Sequence, residues 1–133
     1  MIQYHAREKP NPQPRRTKFI AREQSYHGAT LGALDLSGHE ARKKLYGSVL
    51  PHNMHLLPPC NSYRNGRTGQ TIEQYVEERK EELIDKITEL GPETVAGLII
   101  EPVVGAVSRA FFTSQLRFSC TSSLRTTLLF FFC

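Results

Sequence analysis

The sequence predicts an α/β fold in which a mostly parallel sheet is flanked by helices, and three observations carry that prediction. The run VAGLIIEPVVGA, residues 95–106, is almost continuously apolar and rich in β-branched residues, as a parallel strand covered on both faces requires. The segment TIEQYVEERKEELIDKITEL, residues 71–90, shows a different period, an apolar stripe at helical spacing. Strand-like and helix-like segments alternate along the chain in the order strand, helix, strand, helix, strand, which builds α/β layers.

Taken in order, MIQYHARE at residues 1–8 reads as the end of a helix whose beginning is missing, since no cap or preceding turn supports Ile2, Tyr4 and Ala6. KPNPQPRR then places three prolines within five residues and is expected to form an extended linker. Thr17 to Ala21, TKFIA, is β-prone and bounded by charge, hence a buried strand. REQSYHG follows as a strand-to-helix loop, and ATLGALDLSG as a helix stopped by Gly38. GHEARKKLYGSVLP is polar with scattered apolar anchors, and MHLLPPC reads as a short strand ended by Pro58 and Pro59. NSYRNGRTG is expected to be loop.

In the long helix, Thr71 and Gln74 fit a capping box, and Gly91 with Pro92 marks the end. Ile72, Tyr75, Val76, Leu83, Ile84, Ile87 and Leu90 form the expected apolar stripe, with Glu82 and Lys86 paired four apart on the polar side. Composition agrees with one ordinary domain: 133 residues, 39% apolar and 23% charged. The formal charge of +4 is concentrated after residue 101, where three arginines and no acid occur. That location argues against a nucleic-acid-binding face. Neither a signal peptide nor a membrane span is visible, and three widely spaced cysteines, Cys60, Cys120 and Cys133, suggest no disulfide framework. A soluble, cytoplasmic protein is expected.

In open α/β sheets ligands sit beyond the carboxyl ends of the strands. That rule selects two places, the loop REQSYHG and the strand end Glu101-Pro102. Tyr26, His27 and Gly28 could offer a flat ring, an imidazole and close backbone approach to a ligand, or form a buried turn. Glu101 closes an apolar strand, where a carboxylate is either bonded and facing a site or solvated at the strand end. His52, His55 and Cys60 resemble a fragment of a zinc site, though structural zinc needs four ligands. Ser25 beside His27 invites a nucleophile reading without the GxSxG elbow that would support it. Basic pairs such as Arg15-Arg16 and Lys43-Lys44 read as solvated surface.

RTKFIAREQSYHGATLGALDLSGHEARKKLY and TIEQYVEERKEELIDKITELGPETVAGLIIEPVVGA, with their spacing, resemble class III aminotransferases, pyridoxal-phosphate enzymes of fold type I. The resemblance covers nearly all of residues 1–106 and implies part of the large cofactor-binding domain. It implies that Tyr26 stacks on the pyridine ring, that His27 and Gly28 shape the loop, and that Glu101 lies close to the cofactor. The implied reaction moves an amino group between an amine or amino acid and a keto acid, in a homodimer; the aminomutase relatives share the pattern. The family's phosphate-binding turn would lie before Met1. Its aspartate for the pyridine nitrogen and its cofactor-bonding lysine would follow EPVVGA, where this chain has no Asp or Lys. No catalytic residue is therefore assigned, and the chain is expected to be a fragment inactive alone. The alternative is a catalytically dead interaction module that pairs with a full-length paralogue.

Residues 107–133 are expected to be a separate, aberrant tail. From Arg109 onward there is no acid, lysine, glycine or proline, and the segment holds six of the seven phenylalanines. Such bias suggests translated intron or a shifted frame, and its last apolar run reads as an aggregation hazard.

Overall fold

The computed structural model describes residues 15–101, together with the backbone of residues 103–104, 110–111 and 129–132. The expected helix end and most of the proline-rich linker, residues 1–14, lie outside the described residues, as do Pro102, Cys120 and Cys133.

Strand β1, Lys18–Arg22, lies at the centre of the sheet. The chain then forms helix α1, Leu31–Leu36, the short helix α2, Glu40–Lys43, and a 3₁₀ turn at Gly47–Val49. Strand β2, Met54–Leu57, pairs in parallel with β1 in the register Phe19 to Met54 through Arg22 to Leu57. The one-turn helix α3, Ser62–Asn65, and the long helix α4, Ile72–Leu90, carry the chain back over the sheet. Strand β3, Val95–Ile100, then pairs in parallel with the other side of β1. Two-residue strands β4, Val103–Val104, and β5, Ala110–Phe111, form a separate antiparallel pair. Strand β6, Leu129–Phe132, adds in parallel to β3. The sheet order is β2-β1-β3-β6.

Every residue of β3 is buried, as its continuous apolar sequence requires for a strand covered on both faces. The core joins Ile20, Leu57, Leu98 and Ile100 of the sheet to Leu83 and Ile87 of α4, with Val95 and the partly buried Leu90 beside them. Helix α4 is fixed at its start by the expected capping box. The Gln74 amide N–H donates to the Thr71 hydroxyl at 3.3 Å, and the Thr71 N–H donates to the Gln74 side-chain oxygen at 3.0 Å. Gly91, at φ +85°, ends the helix in a conformation that disfavours side chains.

The structure corrects several expectations. Ile72 and Ile84 are exposed, so the buried stripe of α4 is narrower than the sequence pattern and centres on Tyr75, Val76, Leu83 and Ile87. Glu82 pairs not with Lys86 but with Arg22 at 3.3 Å and Arg79 at 3.2 Å, while Lys86 binds Glu89 at 2.7 Å. NSYRNGRTG contains α3, because the Asn61 side chain caps the Arg64 N–H. Arg16 is partly buried, and its guanidinium donates to the Pro92 carbonyl at 3.1 Å.

Candidate functional site

The connection leaving β1 runs to β2 on one side of the sheet, while β3, reached by the return crossover, lies on the other. In the sheet β1 is flanked by β2 and β3 by β6 on opposite outer sides, and in open α/β sheets ligands sit at the carboxyl ends where the strand order reverses. Both candidate segments meet there. The Tyr26 backbone N–H, in the loop after β1, donates to Glu101 Oε1 at the end of β3 across 3.3 Å.

The loop between β1 and α1 is built on polar contacts. Glu23 N–H donates to the Leu57 carbonyl at 2.8 Å, which continues the β1–β2 ladder one residue past the strand. The buried Ser25 hydroxyl donates to the Arg22 carbonyl at 2.6 Å and accepts from the Gly38 N–H at 3.2 Å. His27 N–H donates to the Ser37 hydroxyl at 2.9 Å. Gly28 has φ +125°, where side chains are strained, and a Cβ there would lie 3.0 Å from the Ala33 Cβ. Its missing side chain is thus needed first by the turn itself. At the far end of α1, the Thr30 hydroxyl accepts from the Ala33 N–H at 3.4 Å as the N-cap.

Three groups at this crevice have unmet or unusual demands. The Arg42 guanidinium of α2 lies 4.5 Å from the centroid of the Tyr26 ring, a cation–π distance. Among the described residues neither buried ring nitrogen of His27 has a hydrogen-bond partner, and burial pushes its pKa below the usual histidine range, so the ring is neutral at neutral pH. The buried Glu101 Oε2 likewise has no partner among the described residues. Burial pushes the Glu101 carboxyl up, opposed in part by the Tyr26 N–H that favours its charged form.

Because Glu101 is raised in the folded state, folding favours its protonated form. Its stabilising contribution is complete below the ordinary glutamate range and is lost as pH rises through the raised value. Glu101→Gln, which cannot ionise, is expected to gain stability over wild type as pH rises from acid to neutral, measured by urea unfolding at both. A difference that stayed constant or shrank would contradict the charged group's cost.

The remaining candidates separate. His52 Nε2 lies 2.8 Å from the Gly47 carbonyl, and the Cys60 thiol interacts with the Tyr75 hydroxyl and feels the charges of Arg22 and Arg79. Burial raises both the Cys60 thiol and the Tyr75 phenol, the latter to about 12. Among the described residues no three His, Cys, Asp or Glu side chains are grouped to hold a metal ion. Ser25 spends its hydroxyl on backbone groups, which leaves the nucleophile reading without support. Sequence reading missed Ser37 and Asp35, both buried at the end of α1. Asp35 accepts from the His52 and Asn53 N–H groups at 3.3 and 3.4 Å and so anchors the approach to β2. The available signal was two polar residues, followed by glycine, in an otherwise apolar turn.

A family model for class-III aminotransferases matches residues 1–121. The chain belongs to the class-III aminotransferases. The match extends past residue 106, where the sequence pattern placed the end of the domain. An aminotransferase of Gibberella zeae is 50% identical over 105 residues, covering 78% of this chain and 20% of its own length. The mitochondrial gamma-aminobutyrate transaminase 1 of Oryza sativa subsp. indica is 39% identical over 93 residues, covering 70% of this chain and 18% of its own. An omega-aminotransferase structure from Paracoccus denitrificans superposes with a TM-score of 0.79 at 28% identity, covering 89% of this class-III chain and 26% of that one. The chain spans about a fifth of the length of the curated relatives it matches.

Proposed function

We propose that this chain forms one wall of a pyridoxal-phosphate site in an aminotransferase that moves an amino group between an amine or amino acid and a keto acid. The observation that carries the reading is the meeting of the Tyr26 loop and Glu101 at the carboxyl ends of adjacent parallel strands. The orphaned His27 nitrogens and Glu101 Oε2 fit a polar, planar ligand, because buried polar atoms without partners are costly unless something bonds them. When bound, the cofactor supplies an electron sink for the reacting carbon, and the protein's share is to place and tune it. Tyr26 would hold the plane of the ring by stacking. Glu101, with its carboxyl shifted toward the neutral form, would offer Oε2 to the ligand as donor or acceptor. His27, kept neutral by burial, presents one donor and one acceptor nitrogen. Substrates and a dimeric partner belong to the same proposal, on family grounds.

The test uses pyridoxine phosphate, which lacks the aldehyde and so cannot bond to lysines at random. Calorimetric titration of the full chain is expected to show binding that weakens roughly tenfold in Tyr26→Ala, the scale of one lost aromatic stack. Equal binding by the two proteins would remove Tyr26 from the site.

A further inference from the structure

We infer that Ser37 is the positioning residue of this crevice: its buried hydroxyl fixes the backbone at His27 and thereby aims the Tyr26 ring. The inference rests on the cofactor reading above and adds to it a residue that touches no ligand.

Ser37 has no exposure to solvent. Its hydroxyl has one proton, which it donates to the Ala33 carbonyl at 2.8 Å, and it accepts the His27 N–H at 2.9 Å. Its orientation is therefore set from both sides, and it cannot turn away to another partner. The adjacent Gly38 N–H donates to the Ser25 carbonyl at 3.0 Å. Three successive loop residues are thus pinned: Ser25 by Gly38, Tyr26 by Glu101 and His27 by Ser37. Two of these three pins come from the end of α1. A tyrosine side chain has few rotamers, so the direction of its ring follows its backbone. Loss of the Ser37 hydroxyl would leave the His27 N–H without its acceptor in a partly buried turn, and the loop would be free to shift to satisfy it.

The experiment compares wild type, Ser37→Ala and Thr30→Ala in the full chain, by pyridoxine phosphate titration and by hydrogen exchange of individual amides. Thr30→Ala removes the N-cap at the opposite end of the same helix and weakens α1 without removing any of the bonds that pin Ser25, Tyr26 and His27. Ser37→Ala is expected to weaken binding about fivefold, the equivalent of one hydrogen bond, and to speed exchange at His27, while Thr30→Ala does neither. Equal weakening in both variants would make Ser37 merely a helix residue and overturn the inference. Unchanged binding in Ser37→Ala would overturn it as well. If wild type does not bind pyridoxine phosphate, the cofactor reading fails by itself. Exchange at His27 then decides the positioning role, supported if faster in Ser37→Ala alone and overturned if unchanged.

Discussion

Replacing Leu83 with alanine is expected to remove about 2–5 kcal/mol of folding stability, a large part of the roughly 5–15 kcal/mol that holds a domain folded. Leu83 is almost wholly buried where α4 meets the sheet, against a cluster that includes Ile20, Leu57, Leu98 and Ile100. Shortening it loses its transfer free energy and opens a cavity between a helix and three strands, and elements pinned at both ends collapse poorly into such a space. The same change at Ile84, one residue along and exposed, removes little buried surface and is expected to cost under about 1 kcal/mol. Urea unfolding followed by circular dichroism separates the two. Equal losses at Leu83 and Ile84 would contradict the packing of α4 described above.

Gly38→Ala is expected to be nearly as damaging, through crowding instead of a cavity. A Cβ at Gly38 would lie 2.5 Å from the Arg22 carbonyl oxygen and 2.8 Å from the Gln24 nitrogen, both backbone atoms. No side chain can rotate aside to relieve that approach, so the end of α1 and the loop after β1 must part. The cost is expected near the upper end of the ~1–3 kcal/mol typical of overpacking. It should also fall on the site, because separation breaks the Gly38 to Ser25 bonds beside Tyr26. Gly32→Ala is the fitting control, since among the described residues nothing lies within 4 Å of a Cβ there. Gly32→Ala is expected to be neutral or stabilising, as alanine favours helix over glycine. Unfolding curves for both variants, with hydrogen exchange at residues 25–28, check the prediction.

The parts legible in the sequence are those governed by local physics. Helix α4 announced itself through Thr71, Gln74 and Gly91, because capping is a matter of neighbours in sequence. Strands β1, β2 and β3 were visible as short apolar runs, since burial on two faces leaves little room for polar residues. Tyr26 and Glu101 were singled out because both follow strands, and the rule for open sheets needs only that order. What the rule could not supply is that β1 and β3 are neighbours, which brings the two residues to 3.3 Å. Long-range pairing was invisible for the same reason. The local helix rule offered Lys86 to Glu82, whereas the fold supplies Arg22, sixty positions away in sequence. Ser37 escaped notice because its importance lies in a bond to a residue ten positions earlier. Leu129–Phe132, read from sequence as an uncapped apolar run, pairs with β3, and edge pairing is satisfied by backbone groups that sequence pattern does not encode.

The central claim is that the carboxyl ends of β1 and β3 form one wall of a cofactor site. Its most direct test is titration of the isotopically labelled chain with pyridoxine phosphate, followed by amide chemical shifts. Saturable shifts confined to residues 25–28, Ser37 and Glu101 are the predicted result. Binding that moves amides elsewhere, such as those around Tyr63 and Arg67, and leaves Tyr26 and Glu101 unmoved would contradict it.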